Sequence, residues 1–107
     1  MSQTASAASL TVYTYPTQYG HATYNTTSGK LVAYDDLADS RRIVAILRND
    51  AGDQLAFSED ANGTNSTPGT TDYYFGSVGE AVTLYVCRQN GTDAGNRDKC
   101  DHNTIII

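Results

Sequence analysis

Short runs that alternate apolar with polar residues, each closed by Gly, Asn, Asp or Pro, constrain this chain more than any other feature. The cleanest is Ala81 to Cys87, where Val82, Leu84 and Val86 stand against Ala81, Thr83, Tyr85 and Cys87; a period of two is the signature of a strand with one face buried. Leu10 to Tyr15 alternates in the same way and stops at Pro16, while Tyr19 to Asn25 and Leu31 to Tyr34 flank a Thr26-Thr27-Ser28-Gly29 turn and predict a hairpin. Arg42 to Arg48 is apolar on both faces, as suits a central strand. Asn49 to Asp53 predicts a hairpin turn into Gln54 to Ser58. Glu59 to Thr70 is too polar for anything but a long loop. Tyr73 to Phe75 predicts a short strand, Gln89 to Asp101 a loop closed by the two cysteines, and Thr104 to Ile107 a last strand. No segment of useful length carries the helical period. The fold expected is therefore all-β: an antiparallel β-sandwich of about seven to eight short strands, Greek-key or Ig-like, with one disulfide.

With 107 residues the chain has room for a single domain, which the alternation places at 10–107 behind a flexible arm, 1–9. That arm, Ser2 to Ser9, is small, polar and without an apolar run, as expected of a mature N-terminus left after removal of a signal peptide. The two cysteines, Cys87 and Cys100, lie too far apart for a redox pair, and with His21 and His102 they make a poor zinc set. A structural disulfide and an extracellular location follow, the crosslink being worth about 3 kcal/mol by chain-entropy arithmetic. A formal charge of −5 and a pI near 4.6 oppose contact with nucleic-acid backbones and anionic lipid. The apolar runs Ile43 to Leu47 and Ile105 to Ile107 fall far below the roughly 20 residues that a membrane helix needs. The N-x-S/T triplets at Asn25, Asn62, Asn65 and Asn90 arise in turns already rich in these residues.

Catalytic chemistry finds little support. Neither His21, inside a predicted strand, nor His102, beside the disulfide, belongs to a nucleophile motif. The carboxylate pairs Asp35/Asp36 and Glu59/Asp60 lack a cleft of evident size, so no enzyme and no cofactor is expected. Asp35, Asp36 and Asp39 gather three carboxylates in one turn and resemble the βγ-crystallin calcium motif, although position five is Asp39 in place of Ser or Thr and no second copy follows. Solvated turn carboxylates are the simpler reading; a calcium-binding module is the alternative. Eight Tyr and no Trp offer rigid amphipathic contact area, and strand parity nominates Tyr15, Tyr19 and Tyr74 as an exposed binding cluster. Of Ile105, Ile106 and Ile107, at least one must face away from the core unless something covers the strand.

Gly20-His21-Ala22-Thr23-Tyr24, the run Leu31 to Ser40 with its acidic Asp35-Asp36-Leu37-Ala38-Asp39 turn, and Val82-Thr83-Leu84-Tyr85-Val86-Cys87 followed by Cys100 together resemble small secreted β-sandwich proteins of actinomycetes. The resemblance spans most of the chain and implies export, a sandwich fold and, for some members, an accessory role in larger secreted assemblies. It transfers no catalytic residue. The functional expectation is a secreted, non-enzymatic interaction module that engages a protein partner through edge strands and the tyrosine face. A small inhibitor of a secreted hydrolase, presenting the loop Gln89 to Asp101, is a further alternative.

Overall fold

A computed structural model describes residues 9–37, 41–61 and 69–107. Among them are eight strands and no helix: β1 (Ser9–Tyr13), β2 (Gly20–Asn25), β3 (Lys30–Asp35), β4 (Arg42–Arg48), β5 (Gln54–Asp60), β6 (Thr71–Tyr73), β7 (Ala81–Gln89) and β8 (Arg97–Ile106). They form two four-stranded antiparallel sheets, ordered β1-β2-β3-β6 and β5-β4-β7-β8. The chain changes sheet between β3 and β4, between β5 and β6 and between β6 and β7, so each sheet is assembled from distant parts of the sequence.

Alternation decides which face is buried. Val12, Ala22, Tyr24, Leu31 and Ala33 of the first sheet meet Ile43, Ala45, Leu47, Ala56, Val82, Leu84, Val86 and Ile105 of the second. The inner face of β2 tapers: Gly20 lies against the Ile43 side chain and the Tyr34 carbonyl with no room for a Cβ, and Tyr24 fills the other end, its hydroxyl donating to Tyr74 O at 2.7 Å. Burial raises the Tyr24 pKa, helped by its neighbours Tyr74 and Glu80. β4 is central and buried on both faces as its sequence predicts: Val44 and Ile46, on the outer side, are covered between Glu59 and Phe57 of β5 and Cys87 and Tyr85 of β7. The terminal isoleucines divide, with Ile105 in the core and Ile106 exposed, while the Ile107 amide donates to Glu80 O.

Several boundaries differ from the sequence reading, for one reason. Polar residues that look like loop are held in strands by neighbours distant in sequence. Glu59 and Asp60 complete β5, since Asp60 reaches across to β3; the segment following them, 62–68, lies outside the described residues. The short strand is Thr71–Tyr73, because β6 must pair with Lys30, Leu31 and Val32, and Phe75 lies beyond it. The stretch Gln89 to Asp101 is mostly paired. Arg97–Ile106 is one long strand whose Arg97 and Asp98 oppose Gln89 and Arg88, so the loop of the inhibitor reading shrinks to the hairpin tip 90–96. β1 begins at Ser9 and ends at Tyr13; the rest of the N-terminal arm lies outside the described residues.

One flank of the sandwich is closed by side chains. β6 pairs with only the first half of β3, and the backbone N–H groups of Ala33 and Asp35 beyond it are received by Ser58 Oγ at 2.9 Å and Asp60 Oδ2 at 2.8 Å, both from β5. Ser58 and Asp60 are fully buried, and Ser58 Oγ also donates to the Thr70 carbonyl. Removing that hydroxyl leaves the buried Ala33 N–H without its partner and takes a donor from the Thr70 carbonyl, at a cost of about 1–3 kcal/mol. Ser58→Ala is expected to lower the unfolding free energy by that amount in urea titrations with an unchanged denaturant slope; a loss of a few tenths would show that the seam is held elsewhere.

Candidate binding site at the open flank

The opposite flank, between β1 and β8, is built differently. Cys87 and Cys100 form a disulfide with their Cα atoms 4.1 Å apart. It joins adjacent strands at a β-bulge, where the register shifts between Val86 and Arg88 so that Lys99 and Cys100 share the place opposite Cys87. Lys99 takes φ 56° there, a left-handed conformation uncommon for a residue with a Cβ. The bulge turns the Lys99 carbonyl out of its own sheet, and Tyr15 N donates to it at 2.9 Å. This bond ties β8 to the continuation of β1. Away from it the two strands enclose a cleft of ≈ 320 Å³, lined by 11–16, Gln18 and 101–103.

Each wall of the cleft follows from register. Asp101 and Asn103 oppose Val86 and Leu84, two core residues, and cross-strand partners share a face. Both therefore share the inward register of Ile105, yet unlike Ile105 they are exposed, because nothing among the described residues closes over them at this flank. They also cover their own strand's edge: Asp101 Oδ1 accepts from His102 N and Asn103 Oδ1 from Thr104 N, each at 2.9 Å. On the other wall Thr14 N donates to Gly20 O. In an antiparallel pair hydrogen-bonded residues alternate with residues whose N–H and C=O point away, so the backbone groups of Thr11 and Tyr13 face outward, as the Tyr15 bond confirms for the next odd position.

The other edges carry side-chain covers over part of their length. Tyr73 N of β6 is received by Asp72 Oδ1 at 2.8 Å, and the second oxygen of Asp72 takes Phe57 N of β5 at 2.9 Å. Glu59 N of β5 meets Thr70 Oγ1. Among the described residues no side chain covers the outward N–H groups of Thr11 and Tyr13.

The tyrosines nominated from sequence do not form one cluster. Tyr15 stands at the mouth of the cleft, 66% exposed. Tyr19 is half-buried below the Arg88 guanidinium, 4.2 Å from ring centre to Cζ. Tyr74 lies near the Asn25–Gly29 turn at the other end of the sheet, its hydroxyl 2.7 Å from Glu80 Oε2; hydrogen bonding to Glu80 raises its pKa. Parity gave the face of a side chain but not its height along the strand or what stands over it. Tyr13 was missed: with His21 and Tyr34 it forms a row of rings across β1, β2 and β3, with centroids 4.9 and 4.6 Å apart, and His21 Nδ1 lies 2.6 Å from Asp36 Oδ2. Asp101 and Asn103 were missed as well, although an Asp or Asn inside an alternating strand is a readable sign of an edge.

Nor do the candidate calcium ligands converge. Asp35 points inward and is buried, Asp36 is exposed and bound to His21, and Asp39 lies outside the described residues. Among those residues no group of three His, Cys, Asp or Glu side chains is placed to hold a metal ion. At the hairpin of β7 and β8, Arg88 donates through Nε and Nη2 to both oxygens of Asp98, at 2.9 and 2.7 Å, which lowers the Asp98 pKa.

No family model matches the sequence, and no curated protein matches it. Among solved structures, the endonuclease/exonuclease/phosphatase from Beutenbergia cavernae DSM 12333 is similar, with a TM-score of 0.75 and 20% identity over 92% of this chain. The likeness concerns the fold. It covers 27% of that chain, so this protein corresponds to about a quarter of the longer one.

Because Asp98 ionises more readily when folded, its contribution to stability is present above the ordinary carboxylate pKa of about 4 and is lost as the pH falls through the lowered value. In an Arg88→Ala variant the Asp98 carboxyl, followed by NMR titration, is expected to rise toward that ordinary value. An unchanged titration would mean that the guanidinium is not the cause.

Proposed function

We propose that this chain is an exported, non-enzymatic accessory domain that engages a protein partner by accepting an extended segment of it along β1. The observation that carries this reading is an asymmetry among the described residues: side chains receive outward N–H groups on β5 (Phe57, Glu59), β6 (Tyr73) and β8 (His102, Thr104), and none receives those of Thr11 and Tyr13 on β1. Strand addition needs an open edge and no catalytic constellation, and natural sheets usually cover their edges against it. Export is supported by the disulfide. The accessory role is supported by the neighbour, a longer chain named endonuclease/exonuclease/phosphatase, of which the match covers 27%.

Magnitudes set what such a site requires. The three outward residues of β1, Ser9, Thr11 and Tyr13, offer at most about six main-chain hydrogen bonds, each worth about 1 kcal/mol net, against an association cost of about 4–15 kcal/mol. Backbone pairing therefore selects an extended conformation but does not hold it. Burial of Tyr13 and Tyr15, which are rigid and exposed, must supply much of the remainder.

Thr11→Pro tests the reading directly. It deletes an outward N–H that makes no bond within the sheet, and proline is tolerated at edges, so the melting temperature should fall by only a few degrees. Linear peptides selected from a random phage-displayed library on the wild-type domain are expected to lose binding to this variant by tenfold or more. Binders that ignore the substitution, or a β1 edge whose Thr11 and Tyr13 amides are as protected from hydrogen exchange as that of Val12, would overturn the proposal.

A further inference from the structure

We infer that the segment accepted by β1 is a basic one, in which every second residue is Lys or Arg and enters the cleft between β1 and β8. This rests on the strand-addition reading and adds the chemistry of the partner.

Side chains of an added strand alternate between the two faces of the sheet it joins. Those on the outer face come to lie beside Thr11 and Tyr13, where β-branched and aromatic neighbours pair well. Those on the inner face are directed between the sheets, next to Val12 and Thr14, and meet the opposite wall. That wall presents Asp101 and Asn103 in the inward register of β8, in line with Ile105, which is core.

An apolar side chain arriving there would be set against a carboxylate and an amide and would strip water from both. An acidic one would be repelled. A Lys or Arg brings donors to acceptors: Asp101 is already oriented through Oδ1 by the His102 amide, and its second oxygen is left for the incoming cation. The stem of the long side chain can lie along Val12 while its head reaches the carboxylate.

The charge balance of the cleft agrees. Its lining contains one carboxylate, Asp101, one imidazole, His102, whose ring stacks on Tyr85, and no Lys or Arg, within a chain of formal charge −5. A volume of ≈ 320 Å³ admits one or two such side chains and is too small for a folded element. The length of β1, five residues, limits the recognised segment to about the same number before the Tyr15 to Lys99 bond closes the flank.

The test uses three synthetic heptapeptides of alternating pattern, identical in their Thr and Val positions and carrying Lys, Gln or Glu at the intervening ones. Each is labelled and titrated against the intact, disulfide-bonded protein by fluorescence polarisation. On the wild type the Lys peptide is expected to bind about tenfold more tightly than the Gln peptide, and the Glu peptide more weakly than both. Asp101→Asn should bring Lys and Gln together, and Asp101→Lys should reverse the order in favour of Glu. Asp50→Lys, in the exposed turn between β4 and β5, changes the net charge by the same amount and should leave the order as it is.

Equal binding of Lys and Gln peptides to the wild type, or an Asp50→Lys variant that behaves like Asp101→Lys, would overturn the basic-segment inference and leave strand addition standing, provided that Thr11→Pro still abolishes binding. Failure of all three peptides to bind, or binding indifferent to Thr11→Pro, would overturn both.

Discussion

Two four-stranded sheets packed face to face leave four edges, and the fate of the outward N–H groups on those edges governs the rest of this molecule. On one flank they are absorbed by side chains: Ser58 and Asp60 receive the amides of β3 that β6 is too short to reach, and Asp72 uses both carboxylate oxygens to cover β6 and β5 together. A buried N–H without a partner costs more than a made bond returns, so polar residues are required at these positions. They turn the flank into a closed seam.

The other flank rests on a covalent constraint. A crosslink between Cys87 and Cys100 fixes the bulge in β8, the bulge holds Lys99 in a left-handed conformation, and its carbonyl is thereby presented to Tyr15. One end of β1 is drawn against β8, and the remainder is left apart, with a polar wall where core residues would otherwise continue. The disulfide thus lies at the point where the flank changes, between the Tyr15 to Lys99 bond and the open stretch of β1. The same flank holds the most exposed tyrosine of the original three, the ring row through Tyr13 and the exposed carboxylate of Asp101. Separate features of the sequence become one surface there.

Much of the architecture was legible because it is local. Alternation in β1, β2 and β7 named those strands and their buried faces, the unbroken apolar run of β4 named a strand covered on both sides, and the Thr26–Gly29 and Asn49–Asp53 turns separated neighbours. The approximate strand number, the disulfide and the central position of β4 all followed from this. Where the sequence reading failed, tertiary contacts overrode local composition: Asp98, Asp101 and Asn103 have poor strand propensity, yet β8 runs through them because β7 offers a complete partner. Glu59 and Asp60 read as loop for the same reason.

The binding flank was the least legible part. Strand parity could say that Tyr13 and Tyr15 share a face, but not that Tyr19 is covered by Arg88 or that Tyr74 lies at the far end. What the sequence alone determined is the period of its strands, the places where they turn, and a pair of cysteines close enough to join; these are consequences of neighbours within a few residues. Sheet order, the bulge at Lys99 and the side-chain covers on β5, β6 and β8, with none on β1 among the described residues, depend on which distant segments meet, and no local pattern encodes that. Only tertiary structure decided them, since hydrogen-bond satisfaction at an edge belongs to the strand that arrives there and not to the one that waits.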